Sequence, residues 1–100
     1  MSPQIRIDRE RIVEFCRKWK VTEFALFGSA LREDFRPDSD VDVLVAFASG
    51  AGITFDNRVE MLDELSAIFG RPVDLVEKNS IRNPFRRHAI LTTKEVVYAA

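Results

Sequence analysis

The stretch Phe24-Ala25-Leu26-Phe27-Gly28-Ser29-Ala30-Leu31-Arg32-Glu33-Asp34-Phe35-Arg36-Pro37-Asp38-Ser39-Asp40-Val41-Asp42-Val43-Leu44-Val45 decides the fold. A short apolar run ends in a small, hydroxyl-bearing turn, Gly28-Ser29, and a second apolar run opens on alternating carboxylates. Read as a strand, the second run has a side-chain period of two, so Asp40 and Asp42 share one face. Two acids held together in a folded chain repel each other, which calls for a cation between them. A Gly-Ser turn that opens a helix presents free backbone N–H groups and suits a phosphate. A divalent metal with a nucleoside triphosphate satisfies both halves of the stretch.

Working outward, Ile12, Phe15, Cys16 and Trp19 recur at helical spacing between charged residues, and Asp8 is placed to cap that helix. Glu23 to Phe27 reads as a strand ending at Gly28, and Ser29 to Asp34 as one or two helical turns. Arg36-Pro37-Asp38-Ser39 reads as a turn, with Ser39 bonding local backbone, and Val41 to Phe47 gives the strongest strand signal. After the flexible Ser49-Gly50-Ala51-Gly52, Thr54 caps a helix whose Phe55, Val59, Leu62, Leu65 and Phe69 read as one core stripe ending at Gly70. Val73 to Val76 is a third strand, Asn83-Pro84 opens a short helix through about Leu91, and Glu95 to Ala99 is a last edge strand. Cys16, Trp19 and Tyr98 read as packing residues. The alternation predicts an α/β (α+β) chain: a small mixed sheet with helices packed on one side, in a single domain over residues 1–100.

Asp74 is a third acid, set in the middle of the apolar third strand. Such an acid faces a ligand or sits at an exposed edge. If its strand pairs with that of Asp40 and Asp42, the three carboxylates make an oxygen-rich site suited to Mg²⁺. Asp74 could also take up a proton as general base. Gly28 allows close backbone approach to a phosphate, Ser29 offers a hydroxyl, and Arg32, about one turn on, can point back at the same oxygens. Arg82, Arg86, Arg87 and His88 form the one basic cluster, which reads either as a solvated helix face or as a docking surface for an acidic partner or an RNA.

Composition bounds the partners. The net charge of −1 gives no overall basic field, so nucleic acid is an unfavoured partner. Cys16 is the single cysteine, which excludes a disulfide framework and a cysteine metal site. No signal peptide and no apolar stretch of membrane-spanning length are seen, and the expected location is the cytoplasm.

Phe27-Gly28-Ser29 with Arg32, followed by Asp38-Ser39-Asp40-Val41-Asp42-Val43-Leu44-Val45, resembles the signature of the DNA polymerase β-type nucleotidyltransferase superfamily. Within it, the length and the tail resemble the minimal nucleotidyltransferases, the MNT proteins encoded beside HEPN toxins. The resemblance runs from the Phe24 strand through Asp74 to Asn83-Pro84-Phe85. It implies two-metal transfer of AMP from ATP, with Gly28 and Ser29, aided by Arg32, on the triphosphate and Asp40, Asp42 and Asp74 as catalytic metal ligands for two Mg²⁺ ions. It further implies that the acceptor is a tyrosine of a HEPN-type toxin held in a hetero-oligomer, which would make the chain an antitoxin. Many members have Arg where this chain has Ala30 and Gly where it has Glu33. Two other functions compete: transfer to a small molecule or an RNA end, and a binding-only antitoxin with a vestigial site.

Overall fold

In a computed structural model, described over residues 7–28 and 40–100, the Asp8 carboxylate accepts the Arg11 backbone N–H at 3.2 Å and starts helix α1 (Arg9–Trp19). The helix ends at Lys20, in the left-handed conformation, whose N–H reaches the Cys16 carbonyl. Strand β1 (Val21–Phe27) follows, two residues longer at its start than the apolar pattern suggested. Strand β2 covers Val41–Phe47 as expected.

Helix α2 (Phe55–Phe69) opens on a reciprocal cap: Thr54 Oγ1 accepts the Asn57 N–H, and Asn57 Oδ1 accepts the Thr54 N–H, both at 3.1 Å. Gly70, at φ 70°, closes it with a 2.8 Å bond to the Ser66 carbonyl. Strand β3 (Val73–Glu77) leads through a 3₁₀ turn (Lys78–Ser80) to helix α3 (Pro84–Thr93). Asn83 Oδ1 accepts the Phe85 and Arg86 N–H groups ahead of that helix, and strand β4 (Glu95–Ala99) completes the fold.

The strand order is β3-β2-β1-β4. β2 runs parallel to β3 and antiparallel to β1, and β1 runs antiparallel to β4, so the sheet is mixed and β4 is an edge. Strand alternation divides the apolar residues between two faces. On one face Phe24, Leu26, Val41, Val43, Val45 and Leu75 form the main core with Ile12, Phe15, Cys16, Trp19, Met61 and Leu65 of α1 and α2. Burial there pushes the Cys16 thiol up to about 12, so it behaves as a small apolar filler. Trp19 Nε1–H and Lys18 Nζ both donate to the Glu64 carboxylate, at 3.3 and 2.8 Å, and tie α1 to α2.

The expectation of helices on one side therefore holds for α1 and α2. The short α3 lies over the opposite face, where Ile90 and Ile81 join Ala25, Phe27 and Leu44 in a smaller cluster. One expectation fails. Phe55 and Val59 are exposed, at 79% and 46%, and the buried face of α2 is carried by Met61 and Leu65 with Leu62, Ile68 and Phe69 at its flanks. Arg58 takes the inward position one turn earlier and donates to the Leu75 carbonyl at 3.1 Å, so apolar side chains are not needed there. Among the described residues no helix is long and apolar enough to cross a membrane.

Candidate active site

The same alternation that builds the main core turns the acids away from it. Asp42 lies between Val41 and Val43, and Asp74 between Val73 and Leu75, so both carboxylates emerge on the face opposite α1 and α2. The parallel register pairs Asp42 directly with Asp74. Neighbouring strands stand about 4.8 Å apart, so the two side chains are neighbours on one surface. Asp42 is half-buried and Asp74 is exposed. Asp40 precedes the first residue of β2 and is exposed, and the Val41 N–H beside it bonds the Pro72 carbonyl at 3.0 Å, which fixes the entry of β2 against that of β3.

On the other side of Asp42, the antiparallel register with β1 pairs it with Phe27, the residue before Gly28. Gly28 adopts φ 62°, a region that favours glycine. A Cβ added there would stand 2.5 Å from Asp42 Oδ2, so the missing side chain is what lets the carboxylate lie against the backbone. Strand pairing thus brings Gly28, Asp42 and Asp74 into a row across β1, β2 and β3, with Asp40 at its margin. Ser29 and Arg32, the other residues expected to hold the triphosphate, lie outside the described residues, as do Ala30, Glu33 and Ser39.

The donor set is all oxygen, which fits a hard divalent cation. Among the described residues no group of three or more His, Cys, Asp or Glu side chains is arranged to hold a metal ion by itself. Mg²⁺ does not demand such a cage, because it is bound through one or two carboxylates and completes its shell with waters and substrate phosphates. The paired Asp42 and Asp74 meet that requirement.

The basic cluster lies on and just before α3. Arg82, Arg86 and His88 are exposed, whereas Arg87 turns inward and donates to the Lys78 carbonyl at 2.7 Å. A second ionic group has no forerunner in the sequence pattern. Glu23 on β1 accepts from Lys78 Nζ at 3.0 Å through Oε1 and from Lys94 Nζ through Oε2. The hydrogen bond from Lys94 is the chief reason its carboxyl lies below the usual range, with partial burial opposing and Lys78 reinforcing. Its partners are 55 and 71 residues away, so no local spacing announces them. The group pins the 3₁₀ turn and the end of α3 to the face that carries the acids.

The model of the nucleotidyltransferase domain family matches residues 9–97. A relative from Methanocaldococcus jannaschii, MJ1379, provisionally named a protein adenylyltransferase, is 38% identical over 73 residues, covering 73% of each chain. The protein adenylyltransferase MntA of Thermococcus cleftensis is 34% identical over 85 residues, covering 85% of this chain and 81% of that one. Among solved structures, a toxin–antitoxin crystallised with AMP-PNP has the same fold, with a TM-score of 0.74 at 22% identity over 94% of this chain and 75% of the other.

Proposed function

Because the chain belongs to the nucleotidyltransferase domain family, we propose that it transfers AMP from ATP to a tyrosine hydroxyl of a HEPN-type toxin and so serves as the antitoxin of that pair. The observation that carries this reading is the pairing of Asp42 with Asp74 beside a glycine that leaves Asp42 room against the backbone. The names of its relatives support AMP as the transferred group and a protein as the acceptor. The fold it shares with a toxin–antitoxin supports a toxin as the partner.

In this reading Asp40, Asp42 and Asp74 hold Mg²⁺, two ions in all. The bound ions supply charge neutralisation on the attacking and leaving oxygens. The remaining work falls to the chain. Gly28 and Ser29 seat the triphosphate at the end of β1, and Arg32 donates to its oxygens. The acceptor oxygen forms a bond to the α-phosphorus as the bond from that phosphorus to pyrophosphate breaks. The acceptor proton passes to the Asp74 carboxylate, which its exposure leaves reachable from solvent and from a docked partner. Asp42, half-buried against Gly28, is the fixed member of the set and orients the rest.

The test is transfer of label from ATP, radiolabelled at the α-phosphate, to protein in an extract of the source cells with Mg²⁺ present. Wild type is compared with Asp42→Asn. A labelled protein that requires Asp42 is expected. Label on RNA or on a small molecule assigns a different acceptor. Toxin neutralisation that survives Asp42→Asn, with nothing labelled, overturns catalysis in favour of binding alone.

A further inference from the structure

From Lys78 to Lys94 the chain contains five Lys and Arg residues and His88 but no Asp or Glu, although its net charge over the full 100 residues is −1. The inward part of this charge is used within the fold: Lys78 and Lys94 bind Glu23, and Arg87 binds a backbone carbonyl. Among the described residues Arg82, Arg86 and His88 have no carboxylate at ion-pair distance. Beside Arg86 in sequence, and one turn from His88 on the same helix face, stands Phe85, at 85% the most exposed of the large apolar side chains among the described residues. A phenyl ring in water beside arginines that have no carboxylate partner among the described residues is suited to an interface, where Phe and Arg are enriched. The inner side of α3 is held by Ile90, Arg87 and the Glu23 group, so this surface stands on a rigid support.

We propose that the outer surface of α3, formed by Phe85 with Arg82, Arg86 and His88, docks a partner protein whose own contact surface carries carboxylates around an apolar pocket. The proposal rests on the reading that the acceptor is a protein. Charge decides the occupant. A second copy of this chain meeting face to face would bring the same cations together and be repelled. On the described part of this surface an RNA would find one exposed aromatic, Phe85, where single-strand readers stack several, on a chain with no basic field. An acidic protein surface neutralises the arginines, buries the phenyl ring and is steered to the face of the sheet where AMP transfer is proposed.

The labelling experiment is repeated with Arg82→Glu/Arg86→Glu, with Phe85→Ser and with Arg82→Lys/Arg86→Lys. Affinity for ATP and the circular dichroism spectrum are measured on the same preparations. Docking predicts at least a tenfold fall in protein labelling for the first two variants, near wild-type labelling for the lysine pair, and unchanged ATP affinity and helix content. Rising salt should depress wild-type labelling as well. Equal labelling by wild type and the charge-reversed variant overturns the proposal while leaving the function intact. Label that is removed by ribonuclease and needs the arginines overturns it in favour of RNA. Absence of any labelled protein with wild type defeats the functional reading itself, and docking falls with it.

Discussion

Asp42 Oδ2 lies 2.5 Å from the point where a Cβ would stand on Gly28. A heavy atom cannot be placed there unless the carboxylate moves, and the φ of 62° at Gly28 is one that an L side chain adopts only under strain. Gly28→Ala should therefore cost about 1–2 kcal/mol from the backbone conformation alone. It should also lower AMP transfer by about a hundredfold, because a displacement of about 1 Å at a reacting group has that effect. Urea denaturation and labelling separate the two losses. Adding Asp42→Ala to Gly28→Ala should recover part of the stability and none of the activity. Full activity in the single variant would mean that this carboxylate need not lie against the strand end.

Asp74 is paired with Asp42 but is the more exposed of the two, so its removal disturbs no packing. Asp74→Asn should leave the urea midpoint within error and lower AMP transfer at least about a hundredfold, the lower range for a positioned acid–base group. Raising Mg²⁺ should not restore the rate if Asp74 takes the proton. Restoration by high Mg²⁺ would confine Asp74 to holding the ion.

Much of this arrangement was legible in the chain because it rests on local chemistry. Asp8, Thr54, Gly70 and Asn83-Pro84 mark helix ends through groups that bond within a few residues, and each does so in the structure. The acids on β2 and β3 were legible for a related reason: alternation sets which face a residue takes once the strand is known. Which strands pair is a different matter. The row of Gly28, Asp42 and Asp74 depends on β2 lying between β1 and β3, and nothing within either strand encodes its neighbour. Glu23 shows the limit most clearly, since it reads as the polar start of a strand and only the returning chain supplies its two lysines. The segment between Gly28 and Asp40, with Ser29 and Arg32, lies outside the described residues.

Glu23 yields a pH dependence. Its carboxyl titrates below the usual range in the folded chain, first through the Lys94 hydrogen bond. An acid with a depressed folded pKa stabilises the fold above its unfolded value, about 4.3, and loses that contribution as pH falls through the folded value. Glu23→Gln should lower stability by about 1.5–3 kcal/mol at neutral pH, the range for hydrogen bonds to a charged group. The gap between wild type and variant should narrow below about pH 4.3. Urea midpoints across that range are the measurement. A gap that stays constant down to acid pH would assign the effect to side-chain shape instead of charge.

The α2 stripe supplies the sharpest contrast between pattern and packing. Phe55, Val59, Leu62, Leu65 and Phe69 follow helical spacing, yet Val59 and Leu65 stand about 120° apart around a helix of 3.6 residues per turn. Only the side of α2 centred on Met61 and Leu65 faces the sheet, and both of those residues are fully buried. Leu65→Ala should cost about 2–5 kcal/mol, as truncations in a packed core do. Phe55→Ala, at a residue 79% exposed, should stay within about 0.5 kcal/mol although it removes the larger side chain. Denaturation midpoints of the two variants decide the matter, because hydrophobic size and burial predict opposite orders. A larger loss for Phe55→Ala would place the first turn of α2 against the sheet and rotate the helix away from the packing described for Met61 and Leu65.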